Sequence, residues 1–416
     1  MARLRARVLV GVALLALILC GAVAMRGLSA GPVERTVPLR ALPVAVAVDA
    51  RSGHVFVAYL GSNTLSLLDG TTLALLRTLA LGQPTGALAV DERTRRAFAV
   101  DVGGDSVSML DPDSGQIVDT VALDDGSFST PALAVDEGTG HVFVAADDGV
   151  TMLDGHTGAI LRHIAIGVTP GAISAVAVDA RSGHALVVNR GDGSVTTLDS
   201  RGGTVLHVAY TGYGPASLVV DERAGRAFVV NTNDRSLSVL DTRSGTVLRT
   251  VPMDPGPLAV DERTGHVFVA TITNSGSSLV HVLDARSGRQ LSTASIGSAG
   301  SYPVALAADA HIRRVVMATG NGVYVLDSHS GALVRTIAVG SAFGAIAVDA
   351  QAGRAYLIGQ VNGGGSTATL ASNGGDTILA TWSSQARRWL PWLPRHAPPT
   401  PVPSGTGLLS VLDVTR

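Results

Sequence analysis

Aspartate, histidine and arginine recur at fixed spacing along this chain of 416 residues, and such side chains can bind cations or transfer protons. Eight aspartates each end a short apolar run, at a mean spacing of about 43 residues. They are Asp49, Asp91, Asp136, Asp179, Asp221, Asp261, Asp309 and Asp349. Five residues after each stands a histidine or an arginine: His54, Arg96, His141, His184, Arg226, His266, Arg314 and Arg354. Two kinds of cation site follow as hypotheses, an acidic ring and a histidine cluster.

A histidine metal site is the weaker hypothesis, because arginine replaces histidine at half of these positions and arginine is not a metal ligand. The histidines also belong to different repeats, too far apart to share one ion. We therefore expect no metal site here. A hydrogen bond or ion pair within each repeat, to a turn aspartate, accounts better for the pattern.

The aspartates have a structural explanation as turn residues. Most first aspartates are followed four residues later by glycine, as in Asp221 and Gly225, and the pattern returns later in each repeat, as in Asp241 and Gly245. Aspartate accepts hydrogen bonds from turn N–H groups, and glycine adopts the positive φ that such turns need. Leu73, Arg95 and Arg313 replace the glycine, which predicts strained or altered turns. The acidic ring stays open as the alternative.

The repeat itself predicts an all-β fold. Between Pro215 and Pro252, four apolar segments at residues 216–220, 226–230, 236–240 and 246–251 are separated by short turns. Self-similarity at about 40–50 residues with four short strands per unit indicates a β-propeller. We predict a single propeller over residues 33–416 with eight four-stranded blades. Seven blades are the alternative, if the stretch from Gly359 onward is atypical.

The two ends of the chain predict how the ring closes. The last unit stops after its third strand, at residues 409–413, and has no fourth. Residues 33–39 read like the fourth strand at residues 247–253, but no first three strands precede them. We therefore expect the N-terminal strand to pair with the C-terminal blade, which leaves no open sheet edge at the junction.

Residues 1–26 predict export. Arg3, Arg5 and Arg7 precede an uncharged run over residues 8–24, and Ala22-Val23-Ala24 fits a signal-peptidase site. The segment is a signal peptide or an N-terminal membrane anchor, so the location is extracytoplasmic, secreted or anchored to the membrane. Cys20 is the only cysteine, which excludes an internal disulfide. The net charge of −2 and the lack of a basic stripe argue against nucleic acid as a partner.

Two units resemble the YVTN-type β-propeller repeat of the WD40-like superfamily. The similar residues are Phe228-Val-Val-Asn231 with Ser238-Val-Leu-Asp241, and Leu186-Val-Val-Asn189 with Thr197-Leu-Asp199. The similarity extends over about residues 33–416 with one insertion. It implies a propeller but no particular function, because relatives include surface-layer proteins, secreted binding proteins and enzymes. Most blades depart from the name motif, so no ligand contact is transferred.

The innermost predicted strands contain no catalytic group. Residues 87–90, 132–135 and 175–178 are all Ala, Val or Leu. A propeller enzyme gathers carboxylate, amide or imidazole groups on these strands. We therefore predict no catalytic residue, no metal and no cofactor, and the sequence favours a protein that is not an enzyme. The alternative is a lactonase-like hydrolase that uses loop carboxylates, with Ca²⁺ as cofactor only in that case.

Variable polar loops on one face are the candidate binding site. The second-to-third and fourth-to-first connections of the blades differ in sequence, and such loops on a rigid ring bind partners. The candidates are Asp101, Asp105, Asp147, Asp148, Asn189, Asp192, Asn231, Asn233, Asp234 and Tyr213. Ordinary turn chemistry also selects Asn and Asp, so a structural role is the alternative.

An insertion at residues 360–407 interrupts the last blade between its second and third strands. It is rich in Gly and Pro and carries Trp382, Arg387, Arg388, Trp389 and Trp392. Trp with Arg is typical of a partner hot spot or a membrane interface. The alternative is a loop that caps the channel or lacks fixed structure. The sequence thus favours an exported binding protein whose partner is an envelope or extracellular protein or glycan, with a hydrolase second and a structural surface component third.

Overall fold

The computed structural model describes residues 35–39, 41–123, 131–146, 149–166, 173–296, 302–320, 322–338, 341–361, 369–370, 380–381 and 407–414. These residues form eight four-stranded antiparallel sheets and one two-stranded ladder, Thr369–Leu370 with Ala380–Thr381. The first strand of each sheet contacts the first strands of the two neighbouring sheets, so the eight sheets close into a ring. The prediction of an eight-bladed β-propeller is confirmed.

We number the strands of a blade from the channel outward, in the order in which they pair. Blade 1 contains Pro43–Asp49, His54–Tyr59, Thr64–Asp69 and Leu75–Ala80. Blade 2 contains Thr85–Asp91, Arg96–Asp101, Ser106–Leu110 and Ile117–Ala122. Blade 3 contains Ala132–Asp136, His141–Ala146, Gly149–Asp154 and Ile160–Ala165. Blade 4 contains Ile173–Asp179, His184–Asn189, Ser194–Asp199 and Val205–Tyr210.

The second half of the ring repeats this arrangement. Blade 5 contains Pro215–Asp221, Arg226–Asn231, Ser236–Asp241 and Val247–Pro252. Blade 6 contains Leu258–Asp261, His266–Ile272, Ser278–Asp284 and Gln290–Ile296. Blade 7 contains Pro303–Asp309, Arg314–Thr319, Gly322–Asp327 and Leu333–Ala338. Blade 8 contains Ser341–Asp349, Arg354–Val361, Gly407–Asp413 and, as its fourth strand, Arg35–Leu39.

The core lies between the blades, where the inner strands are apolar on both faces. Ala45, Val46 and Ala47 of the first strand in blade 1 are almost wholly buried, as are their counterparts in other blades. Phenylalanine fills the same position of the second strand in five blades: Phe56, Phe98, Phe143, Phe228 and Phe268. Burying each such side chain contributes about 1.5–3 kcal/mol. Small and β-branched residues allow flat blades to pack closely with few aromatic groups.

The ring closes as the ends of the chain predicted. Arg35–Leu39 pairs antiparallel with Gly407–Asp413, with Arg35 opposite Val411 and Leu39 opposite Gly407. Strands from the two ends of the chain therefore lie side by side in blade 8. Tyr356 of this blade donates a hydrogen bond to the carbonyl oxygen of Gly70 in blade 1, at 3.0 Å.

The turns also follow the prediction. The twelve glycines of these turns, Gly225 and Gly245 among them, all have positive φ. Leu73, Arg95 and Arg313 keep this backbone conformation without being glycine, at φ of 54°, 56° and 57°. The turn geometry is therefore retained. The Cβ atom of each of these residues makes the positive φ strained, because it lies close to the following carbonyl oxygen.

The repeated histidines join neighbouring blades, a contact that the prediction of an interaction within the repeat did not include. Nδ1 of each histidine donates to a carbonyl oxygen in the third-to-fourth turn of the next blade. The pairs are His54 with Pro112, His141 with Ser200, His184 with Thr242 and His266 with Ser328, at 2.7–3.0 Å. Each histidine also stands opposite the aspartate that ends the third strand of its own blade: His54 with Asp69, His141 with Asp154, His184 with Asp199 and His266 with Asp284.

Arginine at the same position does form the predicted ion pair in two blades. Arg226 pairs with Asp241 at 2.7 Å and Arg314 with Asp327 at 3.4 Å. Arginines of the fourth strands add a second set of inter-blade hydrogen bonds. Arg77 donates to the carbonyl of Ser114 and Arg162 to that of Gly202. These contacts hold adjacent blades together at their outer edges.

Two predicted segments lie outside the described residues, the first one entirely and the second one for the most part. They are the signal peptide or anchor at residues 1–26 and the insertion at residues 360–407, including its tryptophans and arginines. Within the described part of the chain, no helix has the length and apolar character needed to cross a membrane.

Candidate functional site

Six of the predicted binding residues come together where blades 4 and 5 meet. They are Asn189, Asp192, Tyr213, Asn231, Asn233 and Asp234. Three chain segments carry them: the second-to-third turn of blade 4 (residues 189–194), the connection between the blades (210–214) and the second-to-third turn of blade 5 (231–235). We call these residues the blade 4–5 loop cluster.

Asn231 is the buried centre of the cluster. Its Nδ2 lies 3.0 Å from the carbonyl oxygen of Thr211 and 3.0 Å from Oγ of both Ser236 and Ser238. Ser238 donates a second hydrogen bond to the Thr211 carbonyl at 2.6 Å. The end of the second strand in blade 5 therefore holds the chain that arrives from blade 4.

The backbone around Tyr213 is fixed on both sides. The carbonyl of Gly214 accepts hydrogen bonds from N and Oγ1 of Thr232, both at 2.8 Å. The N–H of Tyr213 donates to Oδ2 of Asp234 at 2.6 Å. Gly212 has a φ of 145°, and a Cβ there would lie 2.7 Å from Nδ2 of Asn231. Glycine is required at this position because the two blades approach too closely for a side chain.

The blade 4 turn completes the cluster. Oδ1 of Asn189 accepts the N–H of Gly191 at 2.9 Å, and Oδ1 of Asp192 accepts that of Ser194 at 3.0 Å. The carbonyl of Gly193 in the same turn accepts the N–H of Thr211 at 2.9 Å. A Cβ at Gly193 would lie 2.7 Å from the ring of Tyr210, so this tyrosine packs over the turn.

The cluster presents two exposed tyrosines on this ordered backbone. The exposed fractions are 65% for Tyr210 and 60% for Tyr213. Asp192, Asn233 and Asp234 are also exposed beside them. Such aromatic groups with amide and carboxylate neighbours can bind a peptide or a glycan by stacking and hydrogen bonding.

The predicted set omitted Tyr210, Arg235 and Asp254, which also belong to this surface. Tyr210 ends a fourth strand, and Arg235 forms an ion pair with Asp254 of the next connection. Arg235 also has a positive φ of 49°, which is unusual for a residue with a side chain. Alignment of equivalent blade positions could have revealed Tyr210, since most other fourth strands end in Ala or Pro.

The remaining predicted site residues lie elsewhere. Asp101 and Asp105 belong to blade 2, where Oδ1 of Asp101 accepts the N–H of Asp105 at 2.8 Å and Oδ2 accepts Oγ of Ser106 at 2.7 Å. Buried Asp101 thus orders its own turn. The other seven lie outside the described residues: Asp147, Asp148, Trp382, Arg387, Arg388, Trp389 and Trp392.

The opposite face carries a ring of acidic groups at the ends of the first strands. All eight repeated aspartates are buried. Their Oδ1 atoms accept N–H groups of their own turns, as Asp91 does from Arg93 at 2.9 Å and from Thr94 at 3.0 Å. The turn role is confirmed. In addition, four glutamates follow these aspartates directly: Glu92, Glu137, Glu222 and Glu262. The role of the ring in attracting a cation stays a prediction.

Burial shifts the pKa values of the four glutamates upward. Desolvation, with repulsion from Asp91 next, raises the pKa of Glu137 to about 7. Desolvation is also the main cause that raises the pKa of Glu262 to about 7. The pKa values of Glu92 and Glu222 shift in the same direction for the same reason.

The described part of the chain contains no group of three or more His, Cys, Asp or Glu side chains placed to hold a metal ion. A cavity of about 500 Å³ lies between the N-terminal strand and blade 1. Apolar side chains such as Val37 and Leu73 and hydroxyl groups of Tyr59, Ser66 and Thr78 line it. None of its lining residues is charged, so it offers no acid–base pair.

Comparisons with known proteins support the propeller fold. The family model of the outer membrane protein assembly factor BamB matches residues 103–277. The crystal structure of BamB from Moraxella catarrhalis is 16% identical, with a TM-score of 0.58 over 79% of this chain and 96% of that chain. The dihydro-heme d1 dehydrogenase NirN in complex with DHE is 14% identical, with a TM-score of 0.59 over 79% and 74%. No curated protein matches the sequence.

The matching family is that of BamB, so the resemblance to the YVTN-type repeat stays a prediction while the fold that it implied is confirmed. The matched residues 103–277 include the whole blade 4–5 loop cluster. The similarity to the two solved structures shows the fold alone. The chain is a β-propeller repeat protein, similar over residues 103–277 to the BamB family.

Proposed function

We propose that the protein is an exported propeller that binds an envelope or extracellular protein or glycan through the blade 4–5 loop cluster. The observation that carries this proposal is the pair of exposed tyrosines, Tyr210 and Tyr213, on a connection held by buried hydrogen bonds.

Ordered loops favour binding because less conformational entropy is lost when a partner docks. The Tyr213 backbone is already fixed by Asp234 and Thr232. Tyrosine itself brings a large contact area with few rotatable bonds and is enriched in interface hot spots. Asp192, Asn233 and Asp234 supply polar groups around the aromatic centre.

The comparisons support a role in binding without choosing the partner. The matched family is named for outer membrane protein assembly, a process of the cell envelope. That location agrees with the export signal or anchor predicted for residues 1–26. The similarity to NirN shows that a dehydrogenase can have this fold, so the fold alone does not select a function.

The test replaces both tyrosines in the full chain and measures recovery of partners from envelope extracts. The variant Tyr210→Ala/Tyr213→Ala should lose at least about tenfold in recovery of the main partner. Tyr302→Ala is the matched control, because Tyr302 is equally exposed, at 65%, on the connection into blade 7. Equal recovery by the double variant and the wild type would contradict the proposal.

We also propose that the Trp/Arg insertion contributes to partner binding. Deletion of residues 361–406 should leave the propeller folded, as its circular dichroism spectrum would show, although it removes the ladder of Thr369–Leu370 with Ala380–Thr381 that contacts first strands of several blades. It should abolish partner recovery, because Trp382, Trp389 and Trp392 are removed. Unchanged recovery excludes a role for the insertion but leaves the blade 4–5 loop cluster as the site.

A further inference from the structure

The glutamates of the acidic ring reach across the boundaries between blades. Oε1 of Glu222 in blade 5 accepts the N–H of Ala180 in blade 4 at 3.2 Å, and Oε1 of Glu262 in blade 6 accepts the N–H of Glu222 at 2.7 Å. Each accepted N–H directly follows a repeated aspartate. The carboxyl groups of Glu222 and Glu262 therefore lie beside Asp179 and Asp221 of the preceding blades, and Asp91 acts electrostatically on Glu137 in the same way.

Several oxygens at these boundaries lack a hydrogen-bond partner among the described residues. They are Oδ2 of Asp91, Asp179 and Asp221, and Oε1 of Glu137. The three aspartates are at most 1% exposed. A buried polar atom without a partner is costly, and two neighbouring carboxylates repel each other as well. A proton on the glutamate removes both costs, since the acid becomes a donor to the aspartate.

We propose that the pairs Asp91–Glu137, Asp179–Glu222 and Asp221–Glu262 each bind one proton between their two carboxyl groups, and thereby form pH-sensitive links between adjacent blades. In each link the glutamic acid O–H donates to Oδ2 of the aspartate of the preceding blade. Loss of the proton leaves two facing carboxylates and weakens the boundary. These links lie on the face opposite to the blade 4–5 loop cluster.

The surrounding charges favour retention of the proton. Asp91, Glu92, Glu222 and Arg93 are the charged groups that act on Glu137. The guanidinium of Arg93 donates to the main-chain carbonyls of Glu137 and Gly138, which places it on the backbone of this turn. Negative groups thus outnumber positive ones around the Asp91–Glu137 pair.

The other two pairs have similar surroundings. Asp179, Asp136 and Arg181 act on Glu222, while Asp221, Glu222 and Arg181 act on Glu262. One arginine faces two or more acids in each case. Desolvation is the main cause of the upward shift of all three glutamate pKa values, to about 7 for Glu137 and Glu262.

The direction of the pH effect follows from linkage. The folded-state pKa of about 7 for Glu137 and Glu262 lies above the ordinary value of 4.5. Between these values the folded protein binds more protons than the unfolded chain, so stability falls as pH rises. The stabilisation is complete below about pH 4.5 and is lost as pH passes about 7.

The test compares thermal unfolding of the full chain and of Glu137→Gln/Glu262→Gln at about pH 5 and about pH 8.5. A glutamine amide donates at every pH, so the variant should lose most of the pH dependence and melt higher than the wild type at the alkaline pH. Asp119→Asn is the control, because Asp119 lies exposed on a fourth strand. It should retain the wild-type pH dependence.

Infrared spectroscopy of the folded protein provides a second readout. The wild type should show the carbonyl band of protonated carboxylic acid near pH 6, and each single variant, Glu137→Gln or Glu262→Gln, should lose part of it. The infrared measurement can be made even if only one of the two single variants folds. An unchanged pH dependence in the double variant, or a wild type without the protonated-acid band, would overturn the proposal.

Discussion

At the residue scale, one aspartate position performs two tasks with its two oxygens. Oδ1 of Asp221 accepts the N–H of Ala224 in its own turn at 2.7 Å, while Oδ2 is buried without a hydrogen-bond partner among the described residues. The Asp-x-x-x-Gly spacing predicts the first task because the turn is local. The second depends on Glu262 in the next blade, and a single repeat contains no information about its neighbour.

Backbone strain at the replaced glycines gives a prediction for stability. Arg313→Gly should raise the free energy of unfolding by about 0.5–1 kcal/mol, because glycine removes the strain at φ of 57° at a smaller entropic cost. Gly265→Ala is the converse control. A Cβ at Gly265 meets no atom within 4 Å, so only its φ of 69° should destabilise the variant. Denaturant unfolding measures both, and a loss of stability in Arg313→Gly would refute the strain argument.

At the element scale, strand positions were predictable to within a residue or two. In blade 5 the expected segments at 216–220 and 226–230 correspond to Pro215–Asp221 and Arg226–Asn231. Alternation of apolar residues and punctuation by Asp and Gly suffice for this. At the start of the second strand, the predicted partner within the blade was found for Arg226 and Arg314. Contacts with the next blade were not predictable, because they depend on the angle between blades. The hydrogen bond from His184 to the Thr242 carbonyl is one such contact.

The inter-blade histidines should stabilise the ring measurably. His184→Ala removes the 2.7 Å hydrogen bond to the Thr242 carbonyl and should lower the free energy of unfolding by about 1 kcal/mol. His156→Ala is the control, because His156 lies exposed in a third-to-fourth turn. Equal unfolding midpoints for the two variants in a urea titration would show that the contact does not stabilise the ring.

At the scale of the whole molecule, the candidate site was predicted only in part. Asn and Asp in variable loops identified five residues of the blade 4–5 loop cluster, and Tyr213 was predicted with them, since turn residues on one face are visible in the sequence. Asp101 was predicted together with them, yet it orders a separate turn in blade 2. Which loops meet depends on the order of blades around the ring and on the close approach at Gly212.

Closure of the ring depends on contact between the two ends of the chain, and removal of the N-terminal strand should therefore destabilise the protein. Without residues 1–39, Gly407–Asp413 becomes the edge of blade 8, and the buried side chains of Leu409 and Val411 lose the cover of Arg35–Leu39. Burial of Leu39 alone contributes about 2 kcal/mol, so the truncated protein should melt at a lower temperature. A synthetic peptide of residues 33–41 should restore the melting temperature, since a strand can pair in trans. A scrambled peptide of the same composition should not restore it. A truncated protein that melts like the full chain would show that the N-terminal strand does not hold the ring closed.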